Sequence, residues 1–145
     1  MKPTGQVYMF VRAPMIGVGK RRLAADIGDM AAWRFSRQTT RDVLRRISAD
    51  PRWRTTLSVT PDRFAAAGRF WPADLTRIPQ GKGDLGQRMA RALKRHPYSL
   101  AIIIGSDIPA VSADHIAAAL AALRTHDLVF GPAGDPNKTI FVHHR

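Results

Sequence analysis

The stretch SLAIIIGSD, Ser99 to Asp107, constrains the chain most, because Leu100 to Ile104 is an unbroken apolar run with no alternation. A strand with one wet face alternates apolar and polar residues. A strand apolar on both sides belongs in a sheet covered on both faces, the usual setting of parallel strands. The neighbouring segments fit that setting. Gln6–Val11 is rich in Val, Tyr and Phe and reads as a strand, TTLSVT (Thr55–Thr60) as a second, closed by the turn TPD. DLVFGPA, from Asp127, and TIFV, from Thr139, read as two more.

Helical patterns lie between these strands. Asp29 is placed to cap a long amphipathic helix reaching about Ala49, with Met30, Trp33, Val43, Leu44 and Ile47 inward and Arg34, Arg37, Arg41 and Arg45 outward. Pro51 bars its continuation. After TPD, prolines and glycines at intervals predict a short helix, a short strand and a glycine-containing loop. Leu85–Arg95 has helical spacing, with Leu85, Met89 and Leu93 on one face. Ser112 caps a further helix with Asp114 in its first turn and Ile116, Leu120 and Leu123 inward. Strands alternating with helices define the expected fold class: α/β, a three-layer, mainly parallel Rossmann-like sheet with helices on both faces, in a single domain over residues 1–145.

Composition bounds the chemistry. With no cysteine there are no disulfides, thiol nucleophiles or Cys-ligated zinc. VYMFV is too short for a signal-peptide core and LAIII too short for a bilayer span, so a soluble cytoplasmic protein is expected. A formal charge of +12 favours an anionic partner, whether nucleic acid, a phosphorylated small molecule or an acidic membrane surface. Most of the basic residues are spread along the chain, as solvated helix faces and loops are. No RNA-binding or zinc-finger motif is present, and the five histidines form no metal pattern.

Ligands of open α/β sheets sit beyond the carboxyl ends of the strands. That edge collects APMIGVGKRR after the first strand, TPD after the second, GSDIP after the central one and GPAGD after the next. Gly19-Lys20 fits a P-loop, but Pro14 stands for its first glycine and Arg21 for its hydroxyl residue; Arg22 stands for the third glycine of a dinucleotide fingerprint. Lys20 and Arg22 suit a diphosphate, with Gly17 and Gly19 letting backbone N–H groups approach it; a solvated basic loop is the other reading. Asp107, after a buried strand, is a metal ligand or a turn cap beside Pro109. Asp135 before Pro136 is, by spacing alone, ordinary turn chemistry. In QGKGDLGQRM, Gly81, Gly83 and Gly86 either open an anion-binding helix terminus or shape a tight turn with Asp84 as N-cap.

Taken together, APMIGVGKRRL, VTPD, QGKGDLGQRM, IIIGSDIPAVSADHIAAAL and DLVFGPAGD resemble, in order, the motifs of a bacterial nucleotide-diphospho-sugar transferase-like family with the glycosyltransferase-A fold (domain of unknown function 2064). The resemblance covers almost the whole chain. It implies a phosphate-facing loop carrying Pro14, Gly17, Lys20 and Arg22, with Gly83 and Gly86 on a second nucleotide-facing loop. It further implies a base or ribose contact at Asp62, Mg²⁺ or Mn²⁺ at Asp107, and a catalytic acid at Asp135. The implied activity is metal-assisted glycosyl transfer from a nucleotide-sugar donor to an unknown acceptor. A guanylyltransferase-like reaction and a non-catalytic nucleotide or nucleic-acid binder are the alternatives. Two departures stand out. Arg21 replaces the family's threonine, and Asp135 is followed by Pro136-Asn137-Lys138 in place of Gly-Gly-Tyr. A C-terminally shortened, weakly active or inactive form is therefore expected, its uncovered apolar residues favouring a homodimer.

Overall fold

The computed structural model describes residues 3, 5–13, 21–67, 71–106, 108, 110–131 and 140–143. Its strands are β1 (Gly5–Arg12), β2 (Trp53–Thr60), β3 (Thr76–Pro79), β4 (Leu100–Gly105), β5 (Leu128–Gly131) and β6 (Ile140–His143). Its helices are α1 (Arg21–Ile27), α2 (Asp29–Ser48), α3 (Arg63–Ala66), α4 (Leu85–Leu93) and α5 (Ala113–Ala122). The strands form one sheet in the order β3-β2-β1-β4-β6-β5. From β3 to β4 all neighbours are parallel, while β6 runs antiparallel to both β4 and β5.

Alternation along the central strands sorts side chains onto two faces. From β1, Val7, Met9 and Val11 join Leu57, Val59, Ile102 and Ile104 in the larger core, closed by Val43, Leu44 and Ile47 of α2 and Ile116 and Leu120 of α5. Tyr8 faces the other way and packs with Ile78, Ala101, Ile103 and Ala92 of α4, beside the partly buried Phe10, Met89 and Leu93. Ala101 to Ile104 are all buried, as the unbroken apolar run requires. Gly5 lets α5 close on β1: a Cβ there would stand 2.6 Å from Leu120 Cδ2.

Three local expectations need correction. The basic segment read as a loop is helical from Arg21, and Asp29 does not cap α2. Gly28 takes that place at φ 89°, its N–H closing α1 on the Ala24 carbonyl and its own carbonyl accepting from Ala32 N–H. Two helices meeting at one residue need a backbone angle that glycine adopts without penalty. Asp29 instead supplies a carboxylate to the first turn. Met30, in the first turn of α2, is not a core contact: it is 47% exposed, as is Leu85 at the start of α4 at 61%. Ser112 caps α5 as expected, its hydroxyl accepting from His115 N–H while its own N–H donates to His115 Nδ1. Among the described residues no helix is long and apolar enough to cross a membrane.

Candidate functional site

Parallel pairing brings the carboxyl ends of β3, β2, β1 and β4 to one edge. Register pairs Arg12 with Thr60, Val59 with Pro79 and Phe10 with Gly105, so these ends lie nearly level. Three strand spacings make that edge about 14 Å wide. It also receives the end of β5, which is antiparallel to β6 and hence parallel to β4.

The best-defined part of this edge is the loop from Gln80 to Asp84. Gln80 is buried, and its amide Nε2 donates to the Val11 carbonyl of β1 at 3.3 Å and to the Ser58 carbonyl of β2 at 3.0 Å. Its backbone N–H donates to Val59 O at 2.9 Å. Arg91 Nη1 donates to the Gln80 carbonyl at 2.6 Å and Nη2 to the Lys82 carbonyl at 2.8 Å. Arg88 donates from Nη1 to Gln80 Oε1 at 3.2 Å and from Nε to the Gly83 carbonyl at 2.9 Å. The buried amide thus fastens the loop to the ends of β1 and β2, and two guanidinium groups fasten it to α4. Gly81 and Gly83 have φ of +81° and +105°, the left-handed region that side chains resist.

Asp62, expected to meet a base or ribose, lies exposed before α3, and its Oδ1 accepts the Gly81 N–H at 3.0 Å. It therefore joins the TPD turn to the glycine loop. Asp84 accepts the Gln87 N–H at 2.8 Å while the Gln87 side chain accepts the Asp84 N–H at 2.9 Å. This capping box satisfies donors that an anion would otherwise meet at the start of α4. Gly83 thus sits in a tight turn with an Asp84 cap, one of the two arrangements the sequence allowed, and Gly86 lies beyond it in the first turn of α4. The hollow beside Gln80, lined by Ser58, Pro79, Arg88, Arg91 and Arg95 among others, has room for about one water molecule, at roughly 10 Å³, and not for a nucleotide.

Arg22 lies in the first turn of α1, exposed, instead of on a loop. Pro14, Gly17, Lys20, Asp107 and Asp135 lie outside the described residues. Among the described residues no group of three His, Cys, Asp or Glu side chains is arranged to hold a metal ion. Sequence reasoning missed Gln80, Arg88 and Arg91. Arginines three apart after a glycine loop were visible, but a buried amide serving two distant strands leaves no spacing signal.

The described geometry is shared with known structures. The crystal structure of a proposed nucleotide-diphospho-sugar transferase from Desulfovibrio desulfuricans G20 is similar over 98% of this chain, with a TM-score of 0.84 and 25% identity. The 4-diphosphocytidyl-2C-methyl-D-erythritol synthase of Anaerococcus prevotii DSM 20548 is similar over 93%, with a TM-score of 0.55 and 15% identity, a likeness of fold alone. The chain spans 64% of the first protein's length and 58% of the second's. No curated protein sequence matches it. The fold is that of the nucleotide-diphospho-sugar transferase-like proteins. A match over residues 43–136 makes the chain a member of the bacterial family described as "Uncharacterized protein conserved in bacteria (DUF2064)".

Proposed function

We propose that the chain holds the nucleotide part of a nucleotide-sugar donor at the carboxyl edge of its parallel strands and serves glycosyl transfer to an acceptor. The observation that carries this reading is the level edge of β3, β2, β1 and β4, with its fastened Gln80–Asp84 loop, in a fold of nucleotide-diphospho-sugar transferase type. In this proposal Lys20 and Arg22 oppose diphosphate charge as the leaving group departs, each as a charge-assisted donor. Pro14 and Gly17 shape their loop, and Asp62 orients the glycine loop beside the base or ribose. Gly83 and Gly86 let the ligand approach that loop closely.

Among the described residues the carboxylates at this edge are Asp62, whose Oδ1 is engaged by Gly81, and Asp84, whose Oδ1 caps α4. A Mg²⁺ or Mn²⁺ site is accordingly assigned in this proposal to Asp107, two residues beyond the end of β4, since Mg²⁺ commonly takes only one or two protein carboxylates. When bound, such an ion neutralises diphosphate charge. Asp135 is assigned to the acceptor side.

Nucleotidyl transfer is the second reading, favoured by the fold common to this chain and the diphosphocytidyl-methylerythritol synthase. Calorimetric titration with nucleotide sugars and nucleoside triphosphates, with and without Mn²⁺, tests both. Micromolar, Mn²⁺-dependent binding of a nucleotide sugar that Asp107→Asn abolishes supports glycosyl transfer. Binding confined to a triphosphate supports nucleotidyl transfer. No binding of either class by the wild-type chain refutes both.

A further inference from the structure

Helix α2 carries a second basic feature that a nucleotide site does not use. Arg34, Arg37, Arg41 and Arg45 recur at intervals of three and four residues, so at 3.6 residues per turn they share one side of the helix. Arg34, Arg41 and Arg45 are exposed; Arg37 is half-buried, with its guanidinium 4.8 Å from the Trp33 ring centre. The opposite side, with Ala32, Val43, Leu44 and Ile47, is buried against the sheet. Among the described residues, Arg34, Arg41 and Arg45 have no carboxylate partner. Asp42, on the same helix, accepts instead from Gln38 at 2.9 Å through its side chain. Like charges at these intervals destabilise an isolated helix. The stripe is therefore a cost that only packing of the other side offsets, and a bound polyanion would remove it.

Length and direction identify the partner. Helix α2 joins the parallel strands β1 and β2, so it runs back from the carboxyl edge, with Arg34 nearer that edge and Arg45 farther away. From Arg34 to Arg45 the stripe covers about 16 Å. A nucleotide at the sheet edge reaches one end of it at most, whereas a sugar–phosphate backbone offers charge along its whole length. All the cations of α2 are arginines, whose planar forks match phosphate oxygens in pairs. An acidic bilayer is the weaker match. Helices that lie in a membrane surface insert an apolar side; that of α2, with Val43, Leu44 and Ile47, is taken by the core, which leaves Met30 and Phe35 near its start as its exposed large apolar residues, too few to seat the helix.

We infer that the arginine stripe of α2 is a nucleic-acid-binding surface that grips the phosphate backbone without reading sequence. This goes beyond the donor site and does not depend on it. Three exposed arginines that each neutralise a phosphate contribute about 2.7 to the slope of log K against log salt on duplex DNA, and about 2.1 on a single strand.

Fluorescence anisotropy with a labelled 20-base-pair DNA duplex, a single-stranded RNA of the same length, and vesicles containing phosphatidylserine tests this. Wild type is compared with Arg34→Gln/Arg41→Gln/Arg45→Gln and with a charge-matched control, Arg54→Gln/Lys94→Gln/Arg124→Gln, at 50–200 mM salt. The stripe variant is expected to lose at least tenfold in affinity at the lowest salt and to flatten the duplex slope by about 2.7, the control less than half as much. Retention by duplex, by RNA or by both supports the inference and tells the backbones apart. Equal losses in the two variants, or no binding of either nucleic acid at 50 mM salt, overturn it. Stripe-dependent binding to vesicles alone overturns it in favour of a membrane surface. Should the triple variant fail to fold by circular dichroism, Arg41→Gln alone is expected to flatten the slope by about 0.9; an unchanged slope would count against the stripe.

Discussion

Replacing Gln80 by leucine separates the fastening of the glycine loop from the packing around it. Leucine nearly keeps the volume of this buried side chain while removing its amide. The Val11 and Ser58 carbonyls lose their bonds from Nε2, and Arg88 loses its bond to Oε1. Two neutral bonds at about 0.5–1.5 kcal/mol each, with buried acceptors left short of a partner, set the loss at roughly 2–3 kcal/mol. Arg88 adds little, since it is only half-buried and rehydrates. For a chain of this size that corresponds to a fall in Tm of roughly 4–12 °C. The backbone bond from Gln80 N–H to Val59 is untouched, so the sheet should survive. Calorimetric melting gives the global effect. Amide hydrogen exchange at Gly81, whose N–H is held by Asp62, gives the local one. Faster exchange at Gly81 with unchanged exchange in β4 is expected. A Tm and a Gly81 exchange rate both equal to wild type would show that the amide fastens nothing.

Asp84→Ala removes the α4 capping box and should lower stability by about 1 kcal/mol in denaturant titration, with Asp84→Asn recovering most of it. Asp50, held by Arg52 at 2.7 Å, has its carboxyl below the usual range because the guanidinium hydrogen-bonds its charged form. A depressed folded-state value stabilises above the unfolded-state value and is lost as pH falls through the folded one, so wild type should exceed Asp50→Asn at pH 7 and the gap should close below about pH 4. Melting curves at pH 7 and pH 3 check that order. Burial pushes the Tyr8 hydroxyl up, with Arg95 opposing, and that hydroxyl has no hydrogen-bond partner among the described residues. Tyr8→Phe is therefore expected to leave Tm unchanged or raise it by a few degrees, and a clear drop would reveal a partner.

How far the sequence disclosed this molecule depends on the range of the forces involved. The strands were legible because β1 is rich in Val, Tyr and Phe and because the unbroken apolar run of β4 reports directly that both its faces are covered. The caps at Asp84 and Ser112 were legible because a capping box is complete within four residues. Helix α1 was not, since a single Leu23–Ile27 interval within seven residues is too short to define an apolar period. The direction of β6 was also left open, although eight residues between β5 and β6 are too few for a parallel crossover. At the candidate site, Asp62 was marked for a ligand and is found holding Gly81. Gln80 escaped notice because its acceptors stand 69 and 22 residues away, a relation fixed only when the strands assemble.

The place of β6 has a consequence for the order in which the chain can assemble. Strand β5 never touches β4 through its ladder; β6, which follows it in sequence, lies between them. Four parallel strands from β3 to β4 are complete once residue 105 has been made, and helix α5 can then settle on them. Strand β5, though synthesised before β6, has no neighbour in the finished sheet until residues 140–143 arrive. Growth at this margin is by a hairpin added as a unit, not strand by strand. A chain cut between residues 131 and 140 would display a four-stranded sheet whose β4 edge is open to any extended segment that reaches it first.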